Sequence, residues 1–431
     1  MLLFFVPFAI YMANGRELSS GDTVPTVFVT INLLKQGTIY LDDFHDYVPY
    51  NNEPYYVSMQ RGHMVSNYPL FPAFMALPIF APFVWIGMIN PGDGDMVWRY
   101  LSSMSGACFT AIAVLFMYLT LIHLIDKTGA WLLAMAYGIG TALWPIAGQS
   151  LWQHGPSVMW WSIGLYALVK AENHADQVGL WKYLVLAGVS TGAAFHCRNV
   201  NAIGLIFIGL AIGWRFRWQG IHYLIPAALL SASLLAYNYW LFGTWNGGYE
   251  ELLKLQYYLD HITTGRWATP LWVGLAGQLI SPSRGILIFS PFLLFSFWGM
   301  VVLWRPATSV WKLLAWTIPI PILMLLLFSK YSVWWGGNAH YGPRYQIECY
   351  PFLVLYIAVV WERIKAAKPL LILFGVLLAW SVFTQWIGAF CYPSDWAGSP
   401  VSLALDKGRL WDWRYNQILS CLKSGIKLPF H

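Results

Sequence analysis

Residues 313–361 read LLAWTIPIPILMLLLFSKYSVWWGGNAHYGPRYQIECYPFLVLYIAVVW. Two apolar runs, 313–329 and 349–361, enclose a segment that is crowded with polar and aromatic side chains. Because about 20 apolar residues in a helix cross the hydrocarbon of a bilayer, apolar runs of this kind indicate membrane helices. The pattern therefore predicts two membrane helices whose connection places many polar and aromatic side chains at one membrane edge.

The same pattern extends over most of the chain. Of its 431 residues, 58% are hydrophobic and 10% are charged, and the mean hydropathy is +0.53. Soluble domains contain roughly 25% charged and 45–50% apolar residues, so this composition excludes a soluble protein. We predict an all-α polytopic membrane protein with about 11 to 13 transmembrane helices, a single domain over 1–390 and an outer C-terminal tail over 391–431. The apolar runs lie near 1–14, 68–90, 100–122, 130–147, 157–170, 181–195, 200–213, 222–242, 283–303, 313–329, 349–361 and 369–390.

Basic residues set the predicted orientation. They cluster between apolar runs, in GWRFRWQG (213–220) and WERIKAAKP (361–369), and such clusters stay on the cytoplasmic side. The alternation of loops then places the polar and aromatic connections, among them 243–282 and 330–348, together on the other face. The net charge of the chain is +6, and the position of its basic residues in such clusters indicates membrane topology, not nucleic-acid binding.

The first outer loop, 15–67, is predicted to carry an interfacial helix. In TVPTVFVTINLLKQG (23–37) apolar side chains recur at helical spacing, and Gly37 provides a C-terminal stop. A helix of this length is too short to span a bilayer, so it should lie along the interface with its apolar face down. The next segment, 68–83, contains four prolines, which remove backbone donors, and we expect a broken or re-entrant helix there.

Two acidic sites in this loop are candidates for catalysis or metal binding. Asp22 lies between the first apolar run and the predicted interfacial helix, where its carboxylate can accept a proton from a hydroxyl group or bind a cation. The alternative is that Asp22 only caps that helix. Asp43, His45 and Asp46 offer oxygen and imidazole ligands that suit a divalent cation, alone or with Asp22. A solvated acidic loop is the simpler explanation of that group.

Four cations at the boundaries of apolar runs are candidates for binding phosphate. Arg284 begins a long run, Arg344 and Lys330 belong to the aromatic connection, and Arg198 lies at another boundary. An Arg at the centre of a membrane helix costs about 2.5–3.5 kcal/mol, so an anionic partner such as a phosphate is expected. The alternative is that these side chains only reach the lipid headgroups.

The aromatic connection suits a sugar as well as a phosphate. Flat indole and phenol rings pack against the C–H faces of a sugar, and flexible glycines separate them here. An ordinary interfacial belt of Trp and Tyr is the competing interpretation. The candidate substrate-binding residues are His154, Trp334, Trp335, His340 and Tyr341.

The order of segments also carries information. A short first span is followed by SGD, which ends at Asp22, by an amphipathic outer helix and by SNYPLFP (66–72). A long series of further predicted membrane helices comes after these segments. This order resembles the GT-C superfamily of membrane glycosyltransferases, which includes protein O-mannosyltransferases and the aminoarabinose transferase that acts on lipid A. Four further segments resemble recurring sequences of its bacterial members: LWQHGPS (151–157), FGTWNGGY (242–249), ISPSRGILIFSP (280–291) and WWGGNAHYGPRY (334–345).

The resemblance implies a reaction and its partners. Asp22 would be the catalytic or metal-binding carboxylate of the family, although Thr23 stands where an acidic neighbour is common. The donor would be a polyprenyl-phosphate sugar with its tail in the membrane lipid, and the acceptor would be a hydroxyl group of a glycan, lipid or protein. Transfer would invert the sugar at the periplasmic or extracellular face of the bacterial inner membrane. From residue chemistry, Arg284 or Arg344 would stabilise the departing phosphate.

A polytopic transporter or flippase is the alternative function. Carriers place ionisable groups near the bilayer midplane, around broken helices. Here the ionisable residues cluster at one predicted face, and the interiors of the apolar runs are nearly uncharged. The sequence therefore favours a transferase.

Overall fold

The fold is a helical bundle with one short hairpin. The computed structural model describes residues 2–47, 55–89, 96–252, 265–393 and 396–427, without the side chains of 45–47. The strands β1 Val57–Gln60 and β2 His63–Ser66 pair antiparallel, a feature that the all-α prediction missed. The α-helices in these ranges are α1 Leu2–Met12, α2 Val24–Lys35, α3 Phe71–Trp85, α4 Met96–Leu121, α5 Lys127–Ile139, α6 His154–Asn173, α7 Leu180–Cys197, α8 Ala202–Phe216, α9 Ile221–Phe242, α10 Leu271–Ile280, α11 Ile286–Phe289, α12 Leu294–Leu303, α13 Ser309–Ala315, α14 Pro319–Lys330, α15 Tyr350–Ala366, α16 Lys368–Cys391 and α17 Gln417–Ser424.

Among the described residues, four helical segments are long and apolar enough to cross a membrane: Met96–Leu121, Asn199–Phe242, Ser309–Lys330 and Lys368–Cys391. The second contains 44 residues, which as one straight helix would extend about 66 Å, twice the thickness of the hydrocarbon. This segment instead turns back near Arg217 (φ 51°). Its first residue, Asn199, therefore lies beside Asn246, shortly after the end of the segment, and Nδ2 of Asn199 donates to Oδ1 of Asn246 at 2.9 Å. The predicted total of about 11 to 13 crossings is not settled by these segments and stays a prediction.

Small residues let the central helices approach closely. Gly188 and Gly192 lie four residues apart in α7, and both face α9. A Cβ at Gly188 would lie 2.3 Å from the carbonyl oxygen of Tyr223, and one at Gly192 would lie 2.9 Å from Cβ of Leu230. Membrane helices gain van der Waals contact in this way, because no hydrophobic driving force pulls them together within lipid.

We expect Gly188→Ala to lower the thermal stability of the protein. The added methyl group would meet a backbone carbonyl, and it fits only if α7 and α9 separate, which costs about 1–3 kcal/mol. The measurement is the unfolding temperature in detergent or nanodiscs, with Gly375→Ala in α16 as the control. A Cβ at Gly375 meets open space, so that variant should be unchanged or slightly more stable. Equal unfolding temperatures for the two variants would contradict this packing.

The predicted interfacial helix is present as α2, and Gly37 (φ +69°) follows it. The protein buries this helix on more than one face, since Val27, Phe28 and Val29 are all buried and α3 packs against it. Its position relative to a membrane interface stays a prediction. The β1–β2 hairpin turns at Arg61 and Gly62, whose φ angles of 54° and 86° form the two-residue turn that suits twisted strands.

Two segments differ from the sequence predictions. The proline-rich segment 68–83 is not broken, because α3 continues through Pro78 and Pro82. Each proline removes a backbone donor but fixes a φ that a helix accepts. A re-entrant course of this segment stays a prediction. The apolar run that begins near Arg284 is bent instead, since α11 is short and Pro291 starts a new helical turn before α12. Arg284 therefore precedes a short helix and not a long span.

The predicted outer tail packs against the helices that precede it. Ser281 Oγ donates to the carbonyl oxygen of Leu410 at 2.6 Å, and α17 lies against α16. Residues 396–427 are therefore part of the packed structure. They bring Gln417, the first residue of α17, into contact with Arg284.

Candidate active site

Asp22 forms an ion pair with Arg344, although 322 residues separate them in the sequence. Oδ2 of Asp22 accepts a hydrogen bond from Nη2 of Arg344, and Oδ1 accepts one from the hydroxyl group of Tyr55 at 2.6 Å. Thr23, not Asp22, occupies the N-cap position of α2. The interpretation of Asp22 as a helix cap is therefore wrong.

The surroundings of Asp22 keep its carboxyl group ionised. The side chain is 8% exposed, and burial alone would raise its pKa. The guanidinium of Arg344 and hydrogen bonds from Tyr55 and Tyr68 outweigh burial, and they lower the pKa of Asp22 below its ordinary value. The site thus contains a buried carboxylate that is charged at neutral pH.

Arg344 uses all of its side-chain nitrogens in this arrangement. Nη2 donates to Asp22, Nε donates to Nε2 of His154 at 3.3 Å, and Nη1 donates to the carbonyl oxygen of Gly336 at 3.4 Å. The ring of Trp152 packs on the guanidinium, with Cζ 4.6 Å from the ring centre. These four contacts fix the orientation of Arg344, and its hydrogen bonds use three of its five N–H groups.

A second ion pair extends this arrangement beyond His154. Nδ1 of His154 is 2.8 Å from Oε1 of Glu348, and Nη1 of Arg198 donates to Oε2 of Glu348. Glu348 is fully buried, and Arg198 is 10% exposed. We call Asp22, Arg344, His154, Glu348 and Arg198 the central charge network. Its two carboxylates and two guanidiniums balance when the imidazole is neutral.

Burial and charge together set the protonation of Glu348 and His154. Burial alone would raise the pKa of Glu348. The positive charge of Arg198 and the contact with His154 have the larger, opposite effect, and they lower this pKa to about 2. Burial lowers the pKa of His154 to about 4, in spite of the opposing effect of Glu348. At neutral pH Glu348 is therefore a carboxylate and His154 is a neutral imidazole.

Arg284 and His340 belong to a neighbouring group of buried polar atoms that lack partners. Arg284 is 2% exposed, and its Nη1 donates to Oε1 of Gln417 and to the carbonyl oxygen of Ser283. Within the described ranges, Nε and Nη2 of Arg284, both ring nitrogens of His340 and Nε1 of Trp335 have no hydrogen-bond partner. We call Arg284, His340 and Trp335 the donor cluster. Unpaired buried donors cost free energy, so this cluster suits a ligand that supplies acceptors.

Gly336 separates the donor cluster from the central charge network. A Cβ at this position would lie 3.0 Å from Nε2 of His340 and 3.4 Å from Cβ of Arg344. Its φ of +89° is one that glycine adopts readily. The glycine therefore lets His340 and Arg344 lie close together, because a side chain would fill the space between them.

Three other predicted residues lie outside these two groups. Trp334 is 4% exposed, so it does not offer a free face to a sugar. Tyr341 is buried against Phe289, and its hydroxyl group donates to the carbonyl oxygen of Thr384 at 2.8 Å. Lys330 is exposed at the end of α14. The first two are packing residues in this structure, because the aromatic connection folds inward.

The described residues do not fit a metal ion at Asp22. Both of its oxygens are hydrogen-bonded, and Oδ2 of Asp43 accepts from Nε2 of Gln36. In the part of the chain that the structure describes, no group of three His, Cys, Asp or Glu side chains could hold a metal ion. The side chains of His45 and Asp46 lie outside that part. We therefore assign no chemical step to a cation.

Solved structures share this arrangement of helices. The oligosaccharyltransferase of Archaeoglobus fulgidus, tethered to an acceptor peptide, matches over 90% of this chain and 54% of its own, with a TM-score of 0.58 and 13% identity. ArnT of Cupriavidus metallidurans, bound to undecaprenyl phosphate, matches over 88% of this chain and 63% of its own, with a TM-score of 0.51 and 12% identity. Both have the GT-C architecture. This chain has the GT-C fold.

The GT-C fold is recognised from the structure, since no protein-family model and no curated protein matches the sequence. A further structure of the Archaeoglobus fulgidus enzyme, AglB, with an inhibitory peptide and a dolichol-phosphate, matches over 90% of this chain and 55% of its own, with a TM-score of 0.51 and 13% identity. This chain thus spans little more than half the length of the archaeal enzyme. The GT-C fold and the four apolar segments make it a membrane protein.

Sequence reasoning missed several residues of the candidate site. Glu348 is the lone acidic residue in 331–351, directly before an apolar run, and that isolation was the available signal. Gln417 and Trp152 carry no comparable signal, because polar and aromatic side chains are common near membrane boundaries. Their roles become visible only from their contacts with Arg284 and Arg344.

We expect the thermal stability of the protein to decrease as the pH falls from about 6.5 towards 4. In the folded state the pKa of His154 is about 4, whereas an ordinary imidazole has a pKa of about 6.5. In this window the unfolded chain binds more protons, so acid favours unfolding. His154→Gln should flatten the dependence of the unfolding temperature on pH, whereas the partly exposed His222→Gln should not. An unchanged pH dependence in His154→Gln would contradict the neutral, buried imidazole.

Proposed function

We propose that the protein is a GT-C-type glycosyltransferase that moves a sugar from a polyprenyl-phosphate donor to an acceptor hydroxyl group. Transfer takes place with inversion on the non-cytoplasmic face, and Asp22 is the base. The observation that carries the proposal is the buried carboxylate of Asp22, which Arg344 and Tyr55 hold in its charged form within a GT-C fold. The undecaprenyl phosphate and dolichol-phosphate bound in similar structures support a lipid-phosphate donor.

Asp22 would accept the proton of the attacking hydroxyl group. The acceptor oxygen forms a bond to the anomeric carbon while the bond from that carbon to the phosphate oxygen breaks. The lowered pKa of Asp22 makes it a weak base. It therefore takes the proton late, when the acceptor oxygen has already lost electron density to the new bond. A single displacement of this kind inverts the anomeric carbon.

The donor cluster would receive the departing lipid phosphate. The phosphate oxygen takes the electron pair of the broken bond, and Arg284 and Trp335 provide N–H groups that have no other partner among the described residues. Donors that are already in place stabilise charge as it develops in a transition state. Arg344 is engaged with Asp22, so we assign it to holding the base.

Incubation of the purified protein with a panel of polyprenyl-phosphate sugars tests this function. We expect one donor to lose its headgroup when a glycan, lipid or protein acceptor is present, with an equal amount of polyprenyl phosphate released. Movement of an intact donor between the leaflets of proteoliposomes, without headgroup loss, would identify a flippase instead. The absence of headgroup loss from every donor, with all three acceptor classes, would overturn the proposal.

A further inference from the structure

The contacts of His154 determine which of its ring nitrogens carries the proton. Arg344 can only donate hydrogen bonds, so Nε2 of His154, 3.3 Å from Nε of Arg344, is the acceptor. Nδ1 therefore carries the proton and donates to Oε1 of Glu348 at 2.8 Å. Nη1 of Arg198 is also 3.2 Å from Nδ1, but a protonated Nδ1 has no lone pair to accept from it.

A neutral side chain in place of Glu348 would favour the other tautomer. In Glu348→Gln the single amide oxygen would turn towards Arg198, which is the stronger donor. The amide NH₂ group would then donate to Nδ1 of His154, and the proton would move to Nε2. There it would face Nε–H of Arg344 across the present distance of 3.3 Å. Two donors that face each other repel, so Arg344 would turn away.

Arg344 transmits this change to Asp22. The same guanidinium that donates to His154 through Nε donates to Asp22 through Nη2, and its planar shape couples the two contacts. Trp152 restricts the plane of the guanidinium from one side. Arg344 therefore cannot turn away from His154 and keep its present contact with Asp22.

We propose that Glu348 is a positioning residue for Asp22, which acts by fixing the tautomer of His154 and thereby the orientation of Arg344. Among the described residues, the hydrogen bonds of His154 and Arg344 connect Glu348 to Asp22. Its effect on transfer rests on the proposed function of Asp22. The tautomer itself can be measured in the substrate-free protein.

Nitrogen NMR of protein with ¹⁵N-labelled histidine, in nanodiscs, reads the tautomer directly. The chain has 10 histidines, and comparison with His154→Gln identifies the signals of His154. We expect a protonated Nδ1 and an unprotonated Nε2 in the wild type, and the reverse in Glu348→Gln. The matched control is Glu172→Gln, because Glu172 is also buried and binds Nε of Arg215 through Oε2 at 2.8 Å. That variant loses an ion pair with a buried carboxylate but should leave the signals of His154 unchanged.

Transfer kinetics provide the second measurement. We expect Glu348→Gln to lower kcat about 10- to 100-fold, with little change in the KM of the donor. We take this range from residues that orient a metal ligand through a hydrogen bond. Arg344→Lys should lower kcat as well, since Lys lacks the fork that binds His154 and Asp22 together. The double variant should be no slower than Arg344→Lys alone, because both changes act through one guanidinium. Glu172→Gln should keep the wild-type kcat.

The outcomes separate this proposal from the proposed function. An unchanged tautomer in Glu348→Gln would overturn the positioning role, whatever the rate. A changed tautomer with a wild-type kcat would also overturn it if Asp22→Asn is inactive. If Asp22→Asn is fully active and the tautomer still changes, the assignment of Asp22 as the base fails, while the control of the His154 tautomer by Glu348 stands.

Discussion

Replacing Asp22 by Asn is expected to abolish sugar transfer while the protein still inserts into the membrane. Asn keeps the size of the side chain and can still accept the hydrogen bond from Tyr55, but its amide does not take up a proton at neutral pH. Loss of a positioned general base lowers a rate by about 10²- to 10⁴-fold. The measurement is the rate of headgroup loss from the donor that the panel identifies.

Stability has to be separated from catalysis in this variant. Asp22→Asn leaves the largely buried Arg344 without its carboxylate, and the loss of one partner of a buried pair costs about 3–5 kcal/mol. The double variant Asp22→Asn/Arg344→Gln removes both charges, so its unfolding temperature should recover towards the wild-type value while transfer stays absent. Asp176→Asn changes an exposed carboxylate and should behave as the wild type. Full activity in Asp22→Asn would eliminate Asp22 as the base.

Several helices of this protein can be predicted from sequence because their signals are local. The apolar runs 222–242 and 369–390 correspond to α9 and α16 within one residue at each end. The helical spacing in 23–37 likewise corresponds to α2. Apolar periodicity and terminal glycines act within one element, so they can be read without knowing what the element packs against. The bend before α12 is less visible, because a proline in an apolar run is compatible with either a bend or a continuous helix.

The partners within the site cannot be predicted in the same way. Asp22 and Arg344 are 322 residues apart, His154 and Glu348 are 194 apart, and Arg284 and Gln417 are 133 apart. Charge patterns indicate which loops share a membrane face, but not which side chains neutralise each other. The difference matters for the chemistry. The sequence suggests that Arg284 or Arg344 stabilises the departing phosphate, whereas the structure gives every side-chain nitrogen of Arg344 a hydrogen-bond partner and leaves two nitrogens of Arg284 without one among the described residues.

Replacing Arg284 by Met is expected to leave the free protein as stable as the wild type or more stable. The same change should remove most of the stabilisation that a bound lipid phosphate gives the wild type. No carboxylate among the described residues contacts Arg284, whose acceptors are an amide oxygen of Gln417 and a backbone carbonyl oxygen. A buried cation without an anion costs free energy. An apolar side chain of similar length avoids that cost in the free protein, but it provides nothing that binds a phosphate.

Arg198→Met is the matched contrast, because that arginine has an anionic partner. It would leave the fully buried carboxylate of Glu348 without its cation. Breaking a buried pair in this way costs about 3–5 kcal/mol. The same chemical change should therefore strongly lower the unfolding temperature at Arg198, and it should leave or raise that temperature at Arg284.

Unfolding temperatures with and without undecaprenyl phosphate measure both effects. A ligand at 100 times its Kd stabilises a protein by about 2.7 kcal/mol, so the wild type should unfold at a higher temperature with the lipid. Arg284→Met should lose most of that increase. A variant that keeps the full increase would place the phosphate elsewhere. If Arg284→Met is instead destabilised as much as Arg198→Met, then Arg284 already has an anionic partner in the free protein. Opposite effects on stability and on lipid binding are what distinguish a ligand-binding cation from a structural one.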